Sequence, residues 1–174
     1  MKEVPLFKFA LREDLKDEKI FLPTKGEPLA TGYDCRAAPS DRKDIVLQPG
    51  QYGKIPLGFR CICPPGWWFK LVPRSSTFIK KSLHALYGTI DETYEGEAMF
   101  LCDYLPDIKS LSNDLVIKFG EAIGQIIPVK RIEMGIELIS NNEYDHLCEE
   151  RNGQRKTGGF GSTSVGFYKT GGDK

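Results

Sequence analysis

The chain has 174 residues, with 24 basic and 24 acidic side chains and a formal net charge of +0 at pH 7. A chain of this length can bury roughly 70% of its unfolded surface, so one sizeable core is expected. The cancelled charge excludes a global field that would gather nucleic acid or an anionic membrane, and any anionic ligand has to be held by local groups.

Apolar stretches such as 122–129 fall far short of the ~20 residues that a membrane-spanning helix needs. The opening Met-Lys-Glu-Val-Pro lacks an apolar signal core, and a cytoplasmic protein is expected. Five cysteines, Cys35, Cys61, Cys63, Cys102 and Cys148, are an odd number at irregular spacing, which reads as reduced thiols rather than a disulfide framework. Cys61 and Cys63 alternate as neighbours on one strand face would. No second pair or nearby His completes a tetrahedral zinc set around them.

Eighteen glycines and eleven prolines punctuate short apolar runs, and no long segment keeps a 3.6-residue period. The pattern predicts a mostly β chain. In chain order, strands are expected at 6–11, 51–57, 67–72, 98–104, 115–118, 122–128 and 135–139, each bounded by turn residues. The charged stretch 13–19 reads as a loop or a short helix. One short helix is expected at 75–83, with Ser75 or Ser76 as its cap. Trp67 and Trp68 fall on opposite strand faces and suit core and interface packing. The polar stretch 106–114 reads as a surface loop. From Asn141 onward apolar residues thin out, which divides the chain into a β domain over 1–140 and an expected mobile arm over 141–174. Strand spacing of this kind points to a sandwich, jelly roll or barrel.

Five segments carry the chemistry-bearing residues. The first, 30–38 (ATGYDCRAA), sets Asp34 after a Gly-Tyr turn. The second, 71–76 (LVPRSS), ends an apolar run in Arg74, Ser75 and Ser76, where the start of a helix could face a phosphate. In the third, 88–97 (GTIDETYEGE), Gly88, Asp91 and Tyr94 lie in a hairpin pattern. The fourth, 120–128 (GEAIGQIIP), is a buried strand interrupted by the amide of Gln125. The fifth, 155–163 (RKTGGFGST), is a glycine-rich phosphate-cradle candidate bearing Arg155, Phe160, Gly161, Ser162 and Thr163.

Taken in order, these segments resemble the five motifs of the trimeric dUTP pyrophosphatase family, with weaker agreement at 47–50 (LQPG) and 64–67 (PPGW). The resemblance implies an all-β, jelly-roll-like β-clip subunit, with three copies forming a homotrimer whose sites lie at shared interfaces. It implies hydrolysis of dUTP to dUMP and pyrophosphate, which limits uracil in DNA and supplies dUMP. Asp91 would be the general base orienting water onto the α-phosphorus, and Tyr94 would lie against the deoxyribose. Arg74, Ser75 and Gln125 would hold phosphates, as would Arg155, Ser162 and Thr163, with Ser76, Gly88 and Gly161 as further substrate-binding residues. Phe160 would stack on uracil, and Asp34 would support the site. Mg²⁺ would ride on the triphosphate, as a hard cation that keeps its waters can.

Plainer roles stand beside these. Arg74 could pair with a carboxylate, Gln125 could satisfy a buried backbone group, Tyr94 could be hairpin packing, and Asp34 could serve a turn. Two alternative functions share part of the pattern. A dCTP deaminase, or a bifunctional deaminase and diphosphatase, resembles a pattern with a Glu about five positions after the hairpin glycine, where this chain has Leu101. A non-catalytic jelly-roll module would not need Asp91, Tyr94 and Phe160 together.

Overall fold

The structure is a computed structural model in which residues 4–107 and 113–151 are described. The strands are β1 (Lys8–Leu11), β2 (Tyr33–Arg36), β3 (Ile45–Leu47), β4 (Tyr52–Pro56), β5 (Phe59–Ile62), β6 (Trp67–Pro73), β7 (Leu83–Ala85), β8 (Gly88–Ile90), β9 (Met99–Tyr104), β10 (Leu115–Ile117) and β11 (Ala122–Lys130). Helix α1 (Ser75–Lys81) separates β6 from β7, and α2 (Asn141–Glu150) follows β11. The described residues fall into two compact units divided between Ile132 and Glu133.

The first unit is jelly-roll-like and its pairings are antiparallel. A four-stranded sheet in the order β2-β11-β6-β8 accompanies a three-stranded sheet β4-β9-β7 and the pairs β1-β5 and β3-β10. Alternation explains which faces meet. In β4 and β5, Gly53, Ile55, Phe59 and Cys61 turn inward, and Tyr52, Lys54, Arg60 and Ile62 turn to solvent. Of these, Ile55, Phe59 and Cys61 join Leu71, Leu83, Phe100, Ile117 and Ile123 in one cluster. At Gly124, an added Cβ would lie 2.9 Å from the Phe100 ring, so β11 can approach β9 closely only because this residue is glycine. A smaller cluster of Leu15, Phe21 and Ala38 packs against Phe119.

Six of the expected strands lie where the pattern put them. The stretch 135–139 does not, because alternation makes a strand only where an edge is available to pair with. Ile136 and Leu138 are 86% and 99% exposed there, with no ladder. Strands β2, β3, β5, β7 and β8 were not in the expected set. The stretch 13–19 forms a 3₁₀ turn, Glu13–Leu15, with a second following at Lys19–Phe21.

Helix α1 also differs at its start. Its cap position is Arg74, in extended conformation and without a side-chain cap bond, so neither Ser75 nor Ser76 is the cap. It stops when Ser82 takes a φ of 51°, ahead of β7. A single helix was expected, and α2 is a second one. The Ser140 hydroxyl accepts the Glu143 N–H at 3.2 Å, a cap that offsets weak apolar patterning. No helix among the described residues is long and apolar enough to cross a membrane.

Candidate active site

The four-stranded sheet gathers one group of site residues at one end. Gln125 on β11 stands between Asp34 on β2 and Val72 on β6. Arg74 follows the end of β6, where its Nε lies 3.1 Å from Asp34 Oδ1 and its Nη1 donates to the Ala122 carbonyl at 3.3 Å. This ion pair fixes the direction of a long cation that would otherwise sample many rotamers. The Gln125 amide donates to the Pro73 carbonyl at 3.2 Å. Gly32 is buried, and a Cβ there would collide with the Gln125 carboxamide, so the Gly-Tyr-Asp turn leaves room for that side chain. Ser75 and Ser76 open α1, with Ser75 exposed. The helix is pinned to β11 by the buried Thr77 hydroxyl, which donates to the Ile123 carbonyl at 2.6 Å, and by Lys81 paired with Glu121 at 2.7 Å.

A second group lies toward the other end of the sheet. Strand β8 runs antiparallel to β6, with Gly88 opposite Leu71 and Ile90 opposite Phe69. Asp91 therefore leaves the sheet one step beyond Phe69, on the side away from Arg74. From the level of Trp68 to Arg74 is six residues of strand, or ~20 Å at ~3.3 Å each. The Asp91 side chain is exposed, and its carbonyl accepts the Tyr94 N–H at 3.1 Å to close a turn. Tyr94 is 44% exposed, folds over Gly96 and donates its hydroxyl to the Glu97 carbonyl at 3.1 Å.

The expected hairpin over 88–97 does not form, because β8 pairs with β6 while β9 pairs with β4 and β7; the segment is instead a turn that two carboxylates tie down. Glu92 Oε2 accepts the Gly66 N–H at 2.9 Å and Arg131 Nη1 at 2.7 Å. Glu97 Oε1 accepts the Gly58 N–H at 2.9 Å and Arg12 Nη1 at 2.8 Å. The bond to Asp14, with burial working against it, and the charge of Glu97 together push the Arg12 ionisation up. A groove of about 500 Å³ runs beside Tyr94, bordered by Lys8, Phe9, Arg60 and Glu95.

A dUTPase family model matches residues 18–164, a span that contains both groups and the glycine-rich fifth segment. The chain belongs to the dUTPase family. It is 34% identical over 150 residues to a deoxyuridine 5'-triphosphate nucleotidohydrolase of Bartonella bacilliformis, covering 82% of this chain and 81% of that protein. Identity to the protein of that name from Arabidopsis thaliana is 32% over 148 residues, covering 85% and 79%. Among solved structures, the dUTPase of Staphylococcus bacteriophage 80alpha with dUPNHPP shares the fold at a TM-score of 0.69 and 20% identity, covering 90% of this chain and 97% of that one. The dUTPase of Streptococcus mutans does so at 0.62 and 23%, covering 74% and 98%.

For this dUTPase, Asp34, Arg74, Ser75, Ser76 and Gln125 are brought together, and Asp91 and Tyr94 are brought together, at a distance from the first set. Gly88 lies between them on β8. Arg155, Phe160, Gly161, Ser162 and Thr163 fall outside the described residues. The clamps at Glu92 and Glu97 were not legible in the sequence, since their partners lie 26 to 85 positions away in the chain. Burial pushes the Cys61 thiol up to about 12 and raises Cys63 as well.

Proposed function

We propose that this dUTPase hydrolyses dUTP to dUMP and pyrophosphate in the cytoplasm, at sites completed between copies of the chain in a homotrimer. The observation that carries the reading is the ~20 Å of strand between Arg74 and the level of Asp91. Each half is well built, yet one chain does not bring a phosphate-binding half and a base-bearing half onto one substrate. A second copy resolves this, because a closed assembly can set the Asp91 end of one chain against the Arg74 end of another.

In this reading the Asp91 carboxylate accepts a proton from a water as its oxygen bonds to the α-phosphorus. The bond from the α-phosphorus to its bridging oxygen breaks, and pyrophosphate leaves with the electron pair. Arg74, Ser75, Ser76, Gln125 and the backbone at Gly88 hold phosphate oxygens, and Asp34 orients Arg74 for that task. Tyr94 fills the space that a 2′-hydroxyl would need. Arg155, Gly161, Ser162 and Thr163 contribute further phosphate contacts, and Phe160 stacks on the base. Among the described residues no three His, Cys, Asp or Glu side chains cluster as a metal cage. A Mg²⁺ ion that keeps several waters and binds the substrate's own phosphates fits that donor set. Bound there, it would neutralise phosphate charge.

The test is to incubate purified protein with each deoxynucleoside triphosphate and Mg²⁺ and identify the products. dUMP and pyrophosphate from dUTP are expected. Ammonia release from dCTP would install the deaminase reading instead, and no turnover of any nucleotide would favour a non-catalytic module.

A further inference from the structure

We infer that Glu92 is a positioning residue for the reaction, acting by fixing the backbone from which Asp91 projects. The inference rests on the functional reading above and adds to it a residue with no assigned role.

Strand β8 stays attached to β6 as far as the pair Phe69 and Ile90. Beyond that pair the ladder stops, and Asp91 is the next residue. One position further, Glu92 reaches back to the turn that leads into β6. That turn, 64–67, is closed by the Trp67 N–H donating to the Pro64 carbonyl at 3.0 Å, with Gly66 at a φ of 76°. The Gly66 peptide is held on both sides. Its N–H donates to Glu92 Oε2 at 2.9 Å, and its carbonyl accepts the Arg131 N–H at 2.8 Å. The Arg131 guanidinium then closes the circuit onto the same Glu92 oxygen at 2.7 Å. Charge-assisted bonds of this kind are stronger than neutral ones, and the Glu92 side chain is only 25% exposed, so water competes weakly for it.

Asp91 is thus framed by a ladder pair on one side and a carboxylate anchor on the other. Its side chain has no hydrogen bond or ion pair of its own among the described residues, so nothing else there sets its direction. A base must lie within about 3 Å of the proton it takes, and misplacement by ~1 Å can cost up to ~10²-fold in rate. The anchor's length matters, because the carboxylate must span from the turn after β8 to the Gly66 turn.

The experiment compares Glu92→Ala, Glu92→Asp and Glu92→Gln with the parent for kcat, KM, affinity for an unhydrolysable dUTP analogue, and exchange of the Gly66 amide proton. Ala and Asp, which cannot reach the turn, should lower kcat by about tenfold with KM and analogue affinity within about threefold, and should speed Gly66 exchange. Gln keeps an acceptor at the right length and should stay within about threefold of the parent rate. Parent-like kcat in the Asp variant, or unchanged Gly66 exchange in both Ala and Asp, would overturn the anchor. A Gln variant as impaired as Ala would show that the charge itself takes part in the chemistry, which also overturns it. If the Ala variant does not fold, the Asp and Gln pair decides. A parent that leaves dUTP intact overturns the functional reading and this role with it, whereas an active parent with fully active variants removes the anchor alone.

Discussion

In the proposed reaction, Asp91 is placed by its neighbours, and its side chain makes no bond of its own among the described residues. Ile90 is held in the ladder with β6, the Asp91 carbonyl is tied to the Tyr94 N–H, and the carboxylate is left exposed. Arg74 is the opposite case, a cation already aimed by a carboxylate at 3.1 Å. The two arrangements suit a group that must meet water and one that must meet a fixed anion. Replacing Asp91 by Asn keeps the shape and removes the proton acceptor. We expect kcat to fall ~10²-fold or more, about 2.7 kcal/mol of transition-state stabilisation, with an unchanged melting temperature and unchanged affinity for an unhydrolysable analogue. Single-turnover rates within threefold of the parent would remove Asp91 from its role.

At the scale of elements, α1 matters for where it begins. Its first residues follow Arg74, and its seat is set by one buried hydroxyl: Thr77 is 1% exposed and donates to the Ile123 carbonyl at 2.6 Å. Thr77→Val fills nearly the same volume but cannot donate. The loss should be about 1–2 kcal/mol, or roughly 2–8 °C in Tm for a chain of this size. KM for dUTP should rise as well, because Ser75 opens this helix and Arg74 is its cap residue. Thermal unfolding with an unchanged Tm would show that the hydroxyl is not the seat. Strand β11 was legible in the sequence as a continuous apolar run, and β6 likewise. The hairpin expected over 88–97 is absent; Gly88–Ile90 is an edge strand on β6, and a three-residue strand is defined by its partner rather than its period.

For the molecule as a whole, the proposed homotrimer makes assembly part of the chemistry. Mixed trimers of Asp91→Asn and Arg74→Ala chains, each inactive alone, should regain activity, since some interfaces would then pair an intact Asp91 end with an intact Arg74 end. Mixtures as inactive as the separate variants would place the whole site within one chain. The core also predicts a response to alkali. Burial pushes Cys61 up to about 12 and Cys102 up to about 11 from 9.0, and raises Cys35 and Cys63 in the same direction. Folded-state values above the unfolded value mean that the folded chain retains protons the unfolded chain releases. This stabilising contribution is complete below pH 9 and is lost as pH climbs toward the folded values. Each such thiol should lower stability by at most about 1.4 kcal/mol per pH unit across that window. Urea midpoints should drop between pH 8 and pH 10, less steeply in Cys102→Ala. Equal slopes in parent and variant would remove that thiol from the effect.

By itself the sequence determined the class of fold and the family, because turn residues, short apolar runs and motif order are properties of neighbouring positions. It also announced a strand at 135–139 that the structure lacks, since alternation supplies a face but not an edge to pair with. Only the tertiary structure decided that Asp34 aims Arg74, that Gly32 makes room for Gln125, and that Glu92 and Glu97 clamp the turn after β8. The antiparallel register of β6 and β8 decided the largest matter, sending Asp91 toward one end of the sheet while Arg74 stays at the other. Such facts depend on contacts between residues far apart in the chain, and no local pattern encodes them.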